Sequence, residues 1–172
     1  QLTKEQFIKD FKAQLHTDYL VDNNEATAEE HFRTLGKLIK QYVMSDWLRR
    51  RDEIVKEQKK TDYYFSIEFL PGKMLKTNLF NLGNYDFVSE ALAHIDHDLT
   101  LLVEAERDMA LGNGGLGRLA SCFMDSLPTI GAPGFGNGIR YKYGLFKQRI
   151  VNGYQVELPD AWLPSEGSVW ET

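Results

Sequence analysis

The run Ala110-Leu111-Gly112-Asn113-Gly114-Gly115-Leu116-Gly117-Arg118-Leu119-Ala120 constrains this chain more than any other segment. Its glycines pass directly into a helix-capable stretch, residues 116–127, with Arg118 in the first turn. Backbone without Cβ atoms can approach a ligand closely and can take φ > 0. The first amides of a helix have no internal partner and carry partial positive charge, which suits an anion such as phosphate. Arg118 either adds a guanidinium to that anion or pairs with a nearby carboxylate. Glycines recur at Gly131, Gly134, Gly136 and Gly138, so eight of the fourteen fall between positions 112 and 138. That concentration reads as a binding surface. The competing reading is a tight turn that lets a helix pack closely.

A chain of 172 residues, 42% hydrophobic and 26% charged, is long enough for one domain. Its net charge of −5 and pI of about 5.4 argue against nucleic acid, which calls for clustered Lys and Arg. Arg49-Arg50-Arg51 is followed at once by Asp52 and Glu53 and reads as a solvated helix face. The single cysteine, Cys122, lies in an apolar helical run and reads as a buried, inert thiol. It cannot form a disulfide within the chain, which suits a reducing cytosol. Gln1-Leu2-Thr3-Lys4-Glu5 lacks the apolar core of a signal peptide, and no stretch approaches the ~18 apolar residues of a membrane span. The expectation is a soluble, cytoplasmic protein with no membrane partner.

Thr3 and Gln6 form a capping box ahead of a first helix lined by Phe7, Ile8, Phe11 and Leu15. Thr27 and Glu30 repeat it ahead of a longer helix, whose buried stripe is Phe32, Leu35, Ile39, Tyr42, Val43, Trp47 and Ile54. Tyr63-Tyr64-Phe65-Ser66-Ile67-Glu68-Phe69-Leu70 is aromatic and β-branched, is stopped by Pro71-Gly72, and reads as a central strand. Alternation puts Tyr63, Phe65, Ile67 and Phe69 on one face, with Glu68 on the other near the strand's C-terminal end. Ligands of open α/β sheets gather outside such ends. Short helices are expected over residues 74–82, 87–95 and 99–110. Beyond the glycine loop, Leu116, Leu119, Ala120, Phe123 and Leu127 form a buried stripe ending near Pro128. Period two returns from Ile139, with Tyr141, Tyr143 and Leu145 on one side. Asn152-Gly153 between residues 146–151 and 155–158 signals a hairpin. Trp162 and Trp170 stand among prolines, acids and serines over residues 159–172, a segment that reads as part of a larger packed surface.

Gly112-x-Gly114-x-x-Gly117 matches the dinucleotide fingerprint literally, but a charged helical pattern precedes it where a strand is required. A kinase loop fails because neither Val-Ala-Ile-Lys nor His-Arg-Asp follows. Glu68 is either a core-edge carboxylate paired with an arginine or a hydrogen-bonding group for a hydroxylated or charged ligand. His94 and His97 have helical metal-ligand spacing, yet no third ligand stands out; they read as exposed histidines, with no metal expected. No carboxylate pair suited to glycoside hydrolysis is evident.

Residues 63–70, 110–120, Ser121-Cys122-Phe123-Met124-Asp125-Ser126 and Gly138-Ile139-Arg140-Tyr141-Lys142-Tyr143-Gly144-Leu145-Phe146-Lys147-Gln148 strongly resemble the α-glucan phosphorylases, in order, across residues 32–171. These include glycogen, starch and maltodextrin phosphorylases. Phe69-Leu70-Pro71-Gly72-Lys73 looks closer to bacterial maltodextrin-type members than to animal ones. The resemblance implies an α/β fold, the N-terminal part of a Rossmann-like (GT-B type) glycosyltransferase domain, helices first, then strands with a β-hairpin near the C-terminal end. On that division residues 1–62 are a helical segment and residues 63–172 start the α/β core, with the C-terminal cofactor-binding domain absent. The implied reaction transfers the terminal α-1,4-linked glucose of a glucan to inorganic phosphate, giving glucose 1-phosphate, with pyridoxal phosphate as cofactor and a homodimer as the intact assembly. Gly114, Gly115, Arg118 and Leu70 would face phosphate or cofactor, and Glu68, Asn113 and Leu116 would face the sugar.

The resemblance has limits. Lys73 stands where arginine is usual, and Pro71 replaces a larger apolar residue. Leu70 replaces an aromatic of the animal members. Arg51, Asp52 and Val55 replace the glutamines and tyrosine of the animal AMP site, so AMP activation is not implied. No serine-bearing regulatory tail is recognisable before Thr3. The family's cofactor lysine and most phosphate and glucose contacts lie in the later part of longer relatives. The expectation is therefore an inactive N-terminal piece that binds no cofactor alone. The rival readings are a nucleotide-sugar glycosyltransferase of the glycogen synthase type, whose Lys-Thr-Gly-Gly-Leu is not matched here, and a standalone carbohydrate- or phosphate-binding module.

Overall fold

The computed structural model describes residues 2–163 and 167–171, so part of the tryptophan-bearing end segment lies outside the described residues. Helices and strands are mixed, in the order α1 (Lys4–Tyr19), α2 (Ala28–Lys56), β1 (Asp62–Phe65), α3 (Met74–Asn81), α4 (Tyr85–Ala93), α5 (Leu99–Ala105), α6 (Gly115–Thr129), β2 (Gly134–Asn137), β3 (Lys147–Val151) and β4 (Tyr154–Leu158). Two compact units emerge, each discontinuous in sequence. A helical unit comprises Gln1–Trp47, Lys73–Arg107 and Val169–Thr172; a loop–sheet unit comprises Leu48–Gly72 and Asp108–Ser168. No single chain position separates them. Among the described residues no helix is long and apolar enough to cross a membrane.

In the helical unit, α1 starts where Thr3 Oγ1 accepts the Gln6 amide at 3.2 Å. The Gln6 side chain donates to Asp10 at 2.6 Å instead of returning to Thr3, so this capping box is half made. At α2 it is complete. Thr27 N donates to Glu30 Oε2 at 2.7 Å, and Glu30 N donates to Thr27 Oγ1 at 3.3 Å. Those Thr27 donors hold the Glu30 carboxyl below the usual carboxylate range. Phe7, Phe11, Leu35, Leu75, Leu79, Leu92 and Leu99 are essentially inaccessible and form the core with Phe32, Leu38, Ile39, Val88, Leu102 and Val169. Burial of each large side chain contributes roughly 1.5–3 kcal/mol. The α2 stripe is shorter than its periodicity suggests: Tyr42 and Trp47 are exposed. The residues that α2 contributes to the buried core cluster lie between Phe32 and Ile39.

The acidic helix expected to run to Ala110 stops at Ala105 because Glu106 turns into extended backbone. Its carboxylate is only 4% exposed and accepts Met74 N and Leu75 N, each at 2.9 Å, capping α3. Oε1 also accepts the Trp170 indole at 2.9 Å. A buried carboxylate is tolerable there because three donors and the positive end of a helix surround it.

In the loop–sheet unit, β1 pairs with β2 in parallel, Asp62 opposite Gly134 and Phe65 opposite Asn137. The eight-residue central strand expected over residues 63–70 is thus four residues long, with one partner strand among the described residues. Ser66 ends it. Its hydroxyl donates to Glu68 O at 2.7 Å and accepts Glu68 N at 3.2 Å, bending the chain out of the ladder. The one-face alternation fails with it: Tyr63, Phe65 and Ile67 are exposed, whereas Phe69 is half-buried.

The second glycine cluster builds structure. A Cβ on Gly134 would lie 2.3 Å from Leu127 Cδ1, and one on Gly136 would lie 3.1 Å from the Phe69 ring. Packing therefore accounts for these two glycines, and β2 forms where a binding surface was expected. Tyr141, Tyr143 and Leu145, expected on a strand face, lie in a loop. β3 and β4 pair antiparallel, Val151 opposite Tyr154, with Asn152 and Gly153 both at positive φ between them. Helix α6 buries Gly117, Ala120 and Ser121. Packing through that small-residue face leaves Leu116, Leu119 and Phe123 about half exposed, contrary to the expected stripe. Cys122 is likewise exposed, not buried.

Candidate functional site

The residues singled out from the glycine run come together in the loop–sheet unit. Four hydrogen bonds lace residues 68–70 to the loop and to the start of α6. Phe69 N donates to Leu111 O and Leu70 N to Gly117 O, each at 2.9 Å. Asn113 N donates to Glu68 Oε2 at 3.3 Å, and Arg118 Nη1 donates to Leu70 O at 3.1 Å. Each bond is worth about 0.5–1.5 kcal/mol net, but together they fix one loop geometry.

The four loop glycines divide into two kinds. A Cβ on Gly112 would sit 2.9 Å from Phe69 O, and one on Gly117 would sit 3.2 Å from Glu68 Cβ. Those two are demanded by packing. A Cβ on Gly114 or Gly115 would meet nothing within 4 Å, and neither residue has positive φ. The protein's own contacts therefore do not require glycine at either. Both are exposed at the N-terminus of α6, where Gly114 occupies the cap position without a side-chain cap bond. The amides of Gly115, Leu116 and Gly117 precede the first intrahelical donor, Arg118 N, which bonds Gly114 O at 3.0 Å. The helix dipole adds positive potential at this point.

Glu68 meets neither sequence alternative in full. Among the described residues no arginine pairs with it; half-buried, it holds the Asn113 amide. That amide is thus occupied, and the donor set open to an anion starts at Gly114. Among the described residues Arg118 pairs with a carbonyl and not a carboxylate, which orients its guanidinium. Leu116 is exposed beside these donors.

The histidine reading needs correction. His94 is exposed, but His97 is half-buried against His31, with ring centroids 4.1 Å apart. Asn23 joins them: its carbonyl lies 3.1 Å from His31 Nε2, and its Oδ1 lies 2.9 Å from His97 Nε2. Burial pushes both imidazoles below the ordinary histidine value, outweighing the Asn23 and Thr27 carbonyls at His31 and the Asp96 carboxylate at His97. Among the described residues no group of three or more His, Cys, Asp or Glu is arranged to hold a metal ion. Sequence reasoning missed His31 because its partner is far along the chain. It also missed Ser66, although a serine two residues before Glu68 in an extended run is a recognisable turn signal.

The carbohydrate phosphorylase family profile matches residues 92–172, a span that contains the whole glycine loop and α6. The chain is 44% identical over 169 residues to glycogen phosphorylase of Bacillus subtilis, covering 98% of this chain and 21% of the relative. It is 45% identical over 157 residues to glycogen phosphorylase of Chlamydia pneumoniae, covering 91% and 19%. Over these spans the chain is similar to the carbohydrate phosphorylases. The brain form of human glycogen phosphorylase is 42% identical over 163 residues, 95% of this chain and 19% of that protein. The chain spans about a fifth of the length of the curated relatives it matches.

Proposed function

We propose that this chain supplies the glycine-loop side of the active site of an α-glucan phosphorylase. In that reading the whole enzyme moves the terminal α-1,4-linked glucose of a glucan to inorganic phosphate, releasing glucose 1-phosphate. The observation that carries it is the contrast within the loop: packing accounts for Gly112 and Gly117, whereas among the described residues nothing lies within 4 Å of a Cβ on Gly114 or Gly115. A ligand approaching the backbone closely supplies the missing reason.

On this reading the amides of Gly114 and Gly115 and the guanidinium of Arg118 bind phosphoryl oxygens, Leu70 borders the cofactor, and Leu116 packs against the glucose ring. The Asn113 side chain bonds sugar hydroxyls. The second carboxylate oxygen of Glu68 reaches the same side of the cleft. Such donors hold the negative charge of a phosphate without reorganising, which is how a prepositioned helix end assists glucosyl transfer to that phosphate. An exposed set of backbone donors beside an arginine also fits the phosphate end of pyridoxal phosphate. When bound, that cofactor supplies a second phosphate for proton exchange with the substrate phosphate. The lysine that would hold it lies, by the family resemblance, outside the span matched here. The remaining expectations belong to the same proposal: a GT-B arrangement, a homodimer, a cytoplasmic location and a maltodextrin-type substrate preference.

One side of a two-sided cleft provides neither a near-attack geometry nor a complete field, so the chain alone should be inactive. The test compares the chain with the longest natural protein that carries it. Glucose 1-phosphate should form from maltodextrin and phosphate only with the longer protein and pyridoxal phosphate. Phosphorolysis by the 172-residue chain alone, or none by the longer protein, would contradict the proposal.

A further inference from the structure

The bend at Ser66–Glu68 is held from outside as well as by its own hydroxyl. Ser66 N donates to Asn137 O at 3.0 Å, prolonging the β1–β2 ladder by one bond. Gly138 then passes so close that a Cβ there would lie 3.0 Å from Ser66 O and 2.9 Å from the Phe69 ring. Tyr141 follows, and its hydroxyl donates to Ile67 O at 2.8 Å. Ile67 immediately precedes Glu68, the residue that holds the Asn113 amide.

Tyr141 is itself seated. The indole of Trp162, only 6% exposed, donates to Tyr141 O at 3.0 Å. Gly144 N donates to Asp160 O at 2.9 Å, closing the same loop against residues 160–162. A hydrogen-bonded path therefore runs from a buried tryptophan through Tyr141 and the Ile67 peptide to Glu68 and the glycine loop. No other described side chain bonds the Ile67 carbonyl.

We propose that Tyr141 is a positioning residue for the anion-facing loop, holding Glu68 at the Asn113 amide through the Ile67 carbonyl. The role in phosphate binding rests on the reading of that loop given above. The phenol touches no reacting atom; it fixes the peptide on which Glu68 is mounted. Without it the 66–68 bend is free to relax, and the laces at Phe69, Leu70 and Asn113 loosen with it.

Tyr141→Phe removes one oxygen and leaves the ring, so it tests the bond with little risk to folding. The experiment uses the longest natural protein carrying this chain, with Tyr143→Phe as control. Two readouts are taken: amide hydrogen exchange over residues 111–118, and steady-state phosphorolysis with phosphate and glucan varied separately. Loss of one such bond should speed loop exchange and raise the KM for phosphate about fivefold, with kcat and the glucan KM within about twofold. The melting temperature should stay within about 2 °C, which separates positioning from general destabilisation. Ser66→Ala should act in the same direction. Loop exchange unchanged by Tyr141→Phe would overturn the proposal. A protein without phosphorolysis whose loop still responds would uphold the positioning role and overturn the reaction assigned above.

Discussion

The helical unit and the loop–sheet unit are built on different physics. All fourteen residues of the main core cluster lie in the helical unit, contributed by α1 to α5 and by Val169. The loop–sheet unit buries small residues, Gly117, Ala120 and Ser121, and leaves Tyr63, Phe65, Ile67, Leu145 and Phe146 exposed. What shapes its site is a set of backbone hydrogen bonds and close glycine contacts. Apolar burial gives the first unit stability; directional bonds give the second a defined loop without a deep core. A site of this kind is sensitive to single oxygens and single Cβ atoms.

The largest expected effect comes from attacking the core. Leu92→Ala should lower unfolding stability by about 2–5 kcal/mol, read by urea denaturation of the helical signal. Gly112→Ala comes next. Its Cβ would press on the Phe69 carbonyl, which cannot move aside as a flexible side chain can, and a cost of about 1–3 kcal/mol is expected. That loss should appear as faster exchange at the Phe69 and Leu70 amides, not as a change in the core. Thr27→Ala breaks the complete capping box and should cost about 0.5–2 kcal/mol.

A smaller effect is set by pH. Burial holds His31 and His97 below the ordinary histidine value, so the unfolded chain binds more protons as they titrate and stability rises with pH. The contribution is fully present above about pH 6.5 and is lost as pH falls through that value toward the depressed folded ones. The groups facing the pair are Glu30, Asp96 and Lys12 in addition to each other. Denaturation midpoints at pH 7.5 and 5.5 should converge in His97→Gln, which keeps a donor for Asn23 but cannot titrate. Equal pH dependence in that variant and the parent would refute this account of the pair. The smallest effect is expected from Phe65→Ala, under about 0.5 kcal/mol, because the ring is 76% exposed. A loss as large as that of Leu92→Ala would erase the contrast between the two units.

Local signals in the sequence carried well. Thr27 with Glu30 marks the start of α2, and the glycine run does open a helix with Arg118 in its first turn. Glu68 and Arg118 stand out from their positions in the pattern, Leu70 and Asn113 from the family resemblance, and hydrogen bonds link Glu68 to Asn113 and Arg118 to Leu70. What could not be read was long-range. Glu106 looks like one more acid on a helix until α3 is placed above it. The 63–70 run has a strand's composition, but Ser66 binds its own neighbour and ends the ladder. Glycines that serve packing and glycines that serve access look identical in sequence. Only the positions of Phe69, Glu68 and Leu127 distinguish them.

The most direct test of the account is a titration of the isotope-labelled chain with inorganic phosphate, following every backbone amide. Weak, saturable shifts confined to Gly114, Gly115, Leu116 and Gly117, and weakened by Arg118→Gln, are predicted. Shifts scattered over the lysines and arginines of α2, or none at the glycine loop at any phosphate concentration, would contradict the claim that this helix end is the anion site.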